Sequence, residues 1–227
     1  MNKALYDKEY TCPVCSKKFT SKRVKSAFVK TEKRDADFCV HYKDINPMFY
    51  SAFVCPHCGY SSTEKNFGKL TVAQKSLILS KITSKWKGKN YSGERTFEDT
   101  IEVHKLILLN YNITHALDSE KGKLCLKFAW FYRSINDEKE HDYLKFAADF
   151  FEKSYSNEYL EEDPQNEVNI LYLLGEINRR LEKFTDSIKW FQLTLQSAHI
   201  KDYPNIEKLT RDQWSEAKSQ FTKSKNK

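Results

Sequence analysis

The chain is expected to fold as α+β, a small β-rich segment followed by a larger all-α segment. Three observations predict this. Two Cys-x-x-Cys pairs, Cys12-Pro13-Val14-Cys15 and Cys55-Pro56-His57-Cys58, stand within the first sixty or so residues. The span around and between them is rich in β-branched and aromatic residues. Beyond it, apolar residues recur at helical spacing behind helix-capping signals, with no strand signal between.

Four thiolates in two close pairs are what a tetrahedral zinc ion needs. In each pair the backbone N–H groups after the first cysteine point at its sulfur, and a glycine after the second eases the left-handed turn. Cys58-Gly59 has that glycine and Cys15-Ser16 does not. Residues 1–62 therefore read as a zinc ribbon with Cys12, Cys15, Cys55 and Cys58 as ligands of one zinc. Four thiolates leave no open position, so the ion is expected to be structural. The rival chemistry is redox: Cys-Pro-His-Cys also serves thiol oxidoreductases, in a strand–CxxC–helix context inside a βαβ fold. Here Gly59-Tyr60 follows the pair and no parallel-sheet pattern surrounds it. Cys39 and His41 raise the question of a second metal site, though two residues do not make one. The plainer reading is a partly buried thiol on a strand and a surface histidine. Cys125 belongs to an apolar helix face, and His57 is expected to be exposed.

Along the ribbon, residues 23–30 and 37–42 read as strands, and Asn46-Pro47 as the turn before a strand over 49–54. The 39 residues between Cys15 and Cys55 are long for a minimal ribbon and imply an extra hairpin. Residues 63–93 form a connecting helix and linker: Thr71-Val72-Ala73-Gln74 has capping-box spacing, Leu77, Ile78, Ile82 and Trp86 form a stripe, and 87–93 is turn-rich. The helical domain is expected over 94–227. Thr96 caps a helix with Ile101, Leu106, Ile107, Leu108 and Tyr111 inward. Further helices are expected from about 124 to 134, from 138 to 157, from Asp163-Pro164 onward, and from 184 to 197. Thr210-Arg211-Asp212-Gln213 is read as opening a last helix that frays into a Lys-rich tail.

Residues 171–195 resemble a tetratricopeptide repeat. Leu174-Gly175 matches the first helix, and Phe184, Ser187, Phe191 and Leu195 match the second, with Asn178 in place of the usual aromatic. A looser copy runs from 125 to 151, with Ala129, Tyr132, Ala147 and Phe151 at matching places and a short insertion. A plain helical bundle with small residues at its crossings is the alternative. The copies put Arg133 and Arg179 at equivalent positions, with Arg180 adjacent. Guanidinium groups on a concave face suit a carboxylate or an acidic peptide partner. Salt bridges to Glu140 or Glu176 are the simpler account.

Charge is uneven. Residues 1–93 hold 18 Lys/Arg against 7 Asp/Glu, and residues 94–227 hold 20 against 24. Basic residues on the ribbon, among them Lys22, Arg23 and Lys25, make nucleic acid the alternative partner, although solvated lysines on small strands are common. The N-terminus lacks the apolar run of a signal peptide and no segment is apolar enough to span a membrane. Cysteines in metal-type spacing suit a reducing cytoplasm. No phosphate loop, nucleophile elbow or metalloprotease motif is present in the sequence.

Several runs together resemble an uncharacterised bacterial family, domain of unknown function 2225. They are Arg34-Asp35-Ala36-Asp37-Phe38-Cys39, Tyr42-Lys43-Asp44-Ile45-Asn46-Pro47-Met48-Phe49-Tyr50, Cys55-Pro56-His57-Cys58-Gly59-Tyr60, Ala129-Trp130-Phe131-Tyr132-Arg133 and Leu174-Gly175-Glu176-Ile177-Asn178-Arg179-Arg180-Leu181. The resemblance covers roughly residues 8–200. It implies a cytoplasmic zinc-ribbon and tetratricopeptide-like protein and carries no assigned activity. Where the family has a small residue between paired helices, this chain has Glu182-Lys183. The combined expectation is a non-catalytic adaptor for a protein or peptide partner. Nucleic-acid binding and CxxC redox chemistry are the alternatives, and the oligomeric state is undetermined.

Overall fold

The computed structural model describes residues 2–225. They divide into two compact units, Met1–Arg34 with Val40–Ala116, and Asp35–Cys39 with Leu117–Lys227. Six short strands precede and seven helices dominate the remainder, an α+β arrangement.

In the first unit β1 (Leu5–Thr11) and β2 (Lys18–Val24) pair antiparallel from Leu5↔Val24 to Thr11↔Lys18, so the first Cys-x-x-Cys is their connecting turn. Phe19 and Ser21 alternate inward on β2, as period-2 geometry requires. β3 (Thr31–Arg34) and β4 (Val40–Tyr42) are the extra hairpin expected in the long span. β5 (Ala52–Val54) and β6 (Ser61–Thr63) carry the second Cys-x-x-Cys between them. The strand expected over 49–54 is shorter. Residues Pro47–Tyr50 form a 3-10 turn in which Asn46 Oδ1 accepts the Met48 N–H at 2.9 Å. An Asx cap followed by Pro favours that turn over extension.

Helix α1 (Val72–Lys81) starts at the expected capping box, with Thr71 and Gln74 exchanging side-chain and backbone hydrogen bonds. Helix α2 (Phe97–Ile113) starts at a second box, Thr96 with Asp99. Although it was expected to open the helical domain, α2 lies in the first unit. Polar contacts place it there. Asn110 Nδ2 donates to Ser61 Oγ at 2.7 Å, and Asn66 Nδ2 to the Tyr111 hydroxyl at 2.9 Å. Buried Arg95, before α2, donates to the Phe49 carbonyl at 2.8 Å and Ser21 Oγ at 3.4 Å, and burial pushes its pKa down to about 10. Ile101, Ile107 and Tyr111 are buried as expected, joined by Val103 and His104, while Leu106 and Leu108 are half-buried. Phe67 is the hub of an aromatic core, its ring 5.4 Å from Phe53, 5.7 Å from Tyr60 and 5.8 Å from Tyr10.

The second unit holds α3 (Asp118–Arg133), α4 (Lys139–Asn157), α5 (Pro164–Arg180), α6 (Phe184–Gln196) and α7 (Pro204–Lys225). α3 begins earlier than expected, and α7 begins at Pro204. Thr210 is mid-helix, its hydroxyl donating to the Ile206 carbonyl at 2.7 Å. A Thr-x-x-Gln pattern inside a helix imitates a cap, and the proline at the first position is the true start. The last two residues of the Lys-rich tail, 226–227, lie outside the described residues.

Two helix pairs run antiparallel. In the first, Arg133 meets Glu140 at one end, and at the other a Cβ on Gly122 would come 2.7 Å from the Phe151 ring. In the second, a Cβ on Gly175 would come 2.4 Å from Phe191. The α3–α4 and α5–α6 turns close identically. Asn136 (φ 54) and Glu182 (φ 59) are left-handed. Their N–H groups donate to Arg133 and Arg179 carbonyls, and the next residues' N–H groups to Tyr132 and Asn178 carbonyls, all at 2.9–3.0 Å. Each is a helix C-terminal cap in which a glycine would be unstrained.

Glu182→Gly is expected to raise stability by about 0.5–1 kcal/mol by relieving the left-handed penalty. Gly175→Ala is expected to lower it by about 1–3 kcal/mol through overpacking against Phe191. Urea unfolding of both variants checks the pair, and a stabilising Gly175→Ala would contradict the helix contact.

Candidate metal centre

Each Cys-x-x-Cys closes an antiparallel hairpin, and the two turns are built alike. Cys12 N–H donates to the Lys17 carbonyl at 3.0 Å and Ser16 N–H to the Cys12 carbonyl at 2.9 Å. In the second turn Cys55 N–H donates to the Tyr60 carbonyl at 2.8 Å and Gly59 N–H to the Cys55 carbonyl at 2.9 Å. Gly59 is left-handed at φ 75, and Ser16 adopts φ 60 without being glycine. The asymmetry has a cause. A Cβ on Gly59 would lie 2.6 Å from the Trp86 ring, so this turn requires glycine for space as well as conformation. Trp86 Nε1 donates to the Pro56 carbonyl at 2.8 Å and Thr83 Oγ1 to the Cys58 carbonyl at 3.0 Å. The segment after α1 thereby braces the second turn.

The hairpin tips bring four sulfurs together. Cys12 Sγ is 3.6 Å from Cys58 Sγ, Cys15 Sγ is 3.7 Å from Cys55 Sγ, and all four lie within 4.8 Å of one another. A disulfide needs about 2 Å, and none is formed. Four thiolates about 2.3 Å from a tetrahedral ion stand about 3.8 Å apart, close to the observed edges. Cys12, Cys55 and Cys58 are buried, and Cys15 is half-buried. Hydrogen bonds from Cys12 and Cys58, reinforced by the His57 and Cys58 N–H groups, hold the Cys55 thiol far below its ordinary value. The hydrogen bond with Cys55 pushes Cys12 up to about 12, and those with Cys12 and Cys55 raise Cys58. Crowded sulfurs cannot all ionise without a cation between them. The cluster is thus a set of soft donors of a size and charge that fit one zinc ion. After Cys58 the chain enters β6, not a helix, so the context of a dithiol oxidoreductase is not built here.

His57 is exposed, its Nε2 3.1 Å from the Lys18 carbonyl. Burial, first, and the neighbouring Asp37 charge push the Cys39 thiol up to about 12. Cys125 is likewise raised to about 12 by burial in the helical core. His41 is half-buried on β4.

The second unit contains a charged centre that apolar spacing did not reveal. Its turn Asp35–Cys39 brings Asp37, with 0% of its side chain exposed, against α3 and α5. Arg133 donates to Asp37 at 2.6 and 3.0 Å, to Asp35 at 2.9 Å and to Glu140 at 2.7 Å. Trp130 Nε1 donates to Asp37 at 3.1 Å, and Arg180 lies 3.5 Å from it. Arg179 and Arg180 also donate to buried Glu176, at 2.7 and 2.9 Å. The Tyr172 hydroxyl donates to the Ala36 carbonyl at 2.7 Å, and Phe38 stacks on Tyr172 with centroids 5.2 Å apart. Burial works against ionisation of Asp37, but Arg133 and Arg180 outweigh it and hold the carboxyl below its usual range. The three arginines expected to face a carboxylate partner thus hold carboxylates of this chain. The Arg34-Asp35-Ala36-Asp37 run was the available signal, but nothing in it named the arginines.

On the hairpins, Lys22 pairs with Asp7 at 2.8 Å and Arg23 with Glu64 at 2.7 Å, and Lys25 donates to the Lys3 carbonyl at 2.9 Å. No described helix is long and apolar enough to cross a membrane.

A family model described as an uncharacterized protein conserved in bacteria (DUF2225) matches residues 5–217. The chain belongs to this family. An uncharacterized protein of Borreliella burgdorferi is 26% identical over 157 residues, covering 59% of this chain. The chain spans about half of that relative's length, 56%. No solved structure matches significantly. The Asp37 and tetracysteine centres both fall inside the span shared with the DUF2225 family.

Stability of the second unit is expected to fall as pH drops. Asp37's folded pKa is depressed, so its contribution is complete above the unfolded value of about 3.9 and is lost as pH falls through the folded value. Asp37→Ala, which leaves Arg133 and Arg180 short of a buried partner, should cost about 3–5 kcal/mol. Denaturant midpoints at neutral and acid pH test both, and an acid-induced loss of stability as large in Asp37→Ala as in the parent would exclude Asp37 as its source.

Proposed function

We propose that Cys12, Cys15, Cys55 and Cys58 hold one structural zinc ion, and that the protein is a non-catalytic cytoplasmic adaptor. The observation that carries the metal reading is the pair of sulfur edges, 3.6 and 3.7 Å, in a cluster built from two like turns. Zinc here joins the turns of the β1–β2 and β5–β6 hairpins, and its binding energy becomes folding energy. With four thiolates bound, no coordination position is open to a substrate. Six unpaired cysteines are consistent with a reducing compartment.

The adaptor role is assigned to the tetratricopeptide-like helical unit. Its support is the way Arg133, Arg179 and Arg180 sit beside Trp130 and Tyr172, a set able to recognise two carboxylates, a carbonyl and an aromatic ring. The turn Asp35–Cys39 presents that chemistry in cis. A partner using the same surface carries an acidic, aromatic segment and competes with this turn. The synthetic peptide of residues 31–42 is expected to bind the Asp37→Asn chain, where the resident turn is weakened, and to lose binding when Arg133→Gln is added. Equal binding with and without Arg133→Gln would remove the arginines from the reading.

Metal content and thiol reactivity of reduced, purified protein test the centre. About one zinc per chain is expected, with the Cys12, Cys15, Cys55 and Cys58 thiols reacting only after chelation. Cys55→Ser should lose the metal and unfold the first unit while most helix signal persists. Metal-free protein with a cycling Cys55–Cys58 disulfide would replace this reading with redox chemistry.

A further inference from the structure

One stretch of the first unit is basic with no acidic residue inside it. Residues 65–89 contain seven lysines and no Asp or Glu. On the hairpins four cations have acidic partners: Lys18 with Glu9, Lys22 with Asp7, Arg23 with Glu64 and Lys30 with Asp44. Lys89 reaches Glu102. By contrast Lys69, Lys75, Lys81, Lys85 and Lys87 make no ion pair among the described residues, and all but half-buried Lys75 are exposed. Like charges gathered without counter-charge repel one another and attract polyanions.

The frame beneath these lysines is fixed. α1 is capped at Thr71 and buries Ile78, and Ile82 is buried directly after it. Thr83 and Trp86 are tied to the Cys58 and Pro56 carbonyls. Little side-chain support must therefore be ordered on binding.

Three features select the partner. All seven cations are lysines, which act as point charges on phosphates and lack the planar fork that reads carboxylates or guanine edges. The aromatic rings of the stretch, Phe67 and Trp86, are half-buried and engaged with the unit's core and second turn, leaving no platform for unstacked bases. α1 spends Ile78 on the core and exposes only Val72 and Leu79 as large apolar residues, too little for an interfacial membrane helix. α1 carries Lys75 and Lys81, and Lys85 follows in the 3-10 turn Thr83–Lys85; a duplex presents one charge per about 1.7 Å along its axis.

We propose that the lysine-rich segment over residues 69–87 docks on the phosphate backbone of double-stranded nucleic acid, without reading its sequence. The surface differs from the Lys22, Arg23 and Lys25 set expected from the sequence, and it does not depend on the adaptor reading.

The test is fluorescence anisotropy of the full-length protein with a labelled 20-base-pair duplex between 50 and 200 mM salt. Five phosphate contacts imply that affinity falls about 500-fold across that range. Lys75→Ala/Lys81→Ala/Lys85→Ala should flatten the fall to about 10-fold, with circular dichroism unchanged. Lys22→Ala/Lys25→Ala should leave it as in the parent. The proposal is overturned by no duplex binding at 50 mM salt. It is equally overturned by a triple variant with the parent's salt dependence, or by vesicles with anionic headgroups binding through these lysines where the duplex does not.

Discussion

Four sulfur atoms confined within 4.8 Å of one another set the geometry of the first unit. To bring them there, two hairpins must end in the same tight turn, and each turn must place a residue in the left-handed region. Ser16 tolerates that conformation in the open, whereas Gly59 is held to it by the Trp86 ring. Trp86 is positioned in turn by α1 and the turn after it. The aromatic hub around Phe67 and the docking of α2 through Asn110 and Tyr111 extend outward from this point. A change at the sulfurs therefore propagates through packing into α1 and α2, whose Ile78 and Ile113 belong to the same core.

The second unit is organised by a different physical demand. A carboxylate with no exposed surface must be matched in charge and hydrogen bonds or not be ionised at all. Asp37 is matched from two helices at once, by Arg133 and Trp130 on α3 and Arg180 on α5. Glu176, equally buried, accepts from Arg179 and Arg180. The equivalent left-handed caps after α3 and α5 deliver Arg133 and Arg179 to corresponding places at the helix ends. Repetition of a turn thus becomes repetition of a charge.

Legibility in the sequence followed the range of the interactions. The cysteine spacing, the capping boxes at Thr71 and Thr96 and the Asp163-Pro164 start are local, and each was visible. The Gly175–Phe191 packing was visible because two positions of one hairpin carried it. Local imitation misled at Thr210, where a cap-like pattern sits in mid-helix, and at residues 49–50, where an Asx-Pro turn overrides β propensity. The assignment of α2 to the first unit rests on polar contacts between residues up to 74 positions apart, which periodicity does not encode. Asp37 was hidden for the same reason, its partner Arg133 lying 96 residues downstream.

That distance makes the helical unit discontinuous in the gene. Residues 35–39 leave the ribosome long before the helices that enclose them, and they wait on a hairpin of the other unit. A fragment beginning at Leu117 would contain every helix of the second unit yet lack the counter-ion its arginines are built around. Dissecting this protein at its apparent helical boundary would therefore separate a lock from its own key, and the isolated helices would carry Arg133 and Arg180 without the Asp37 carboxylate that meets them in the intact chain.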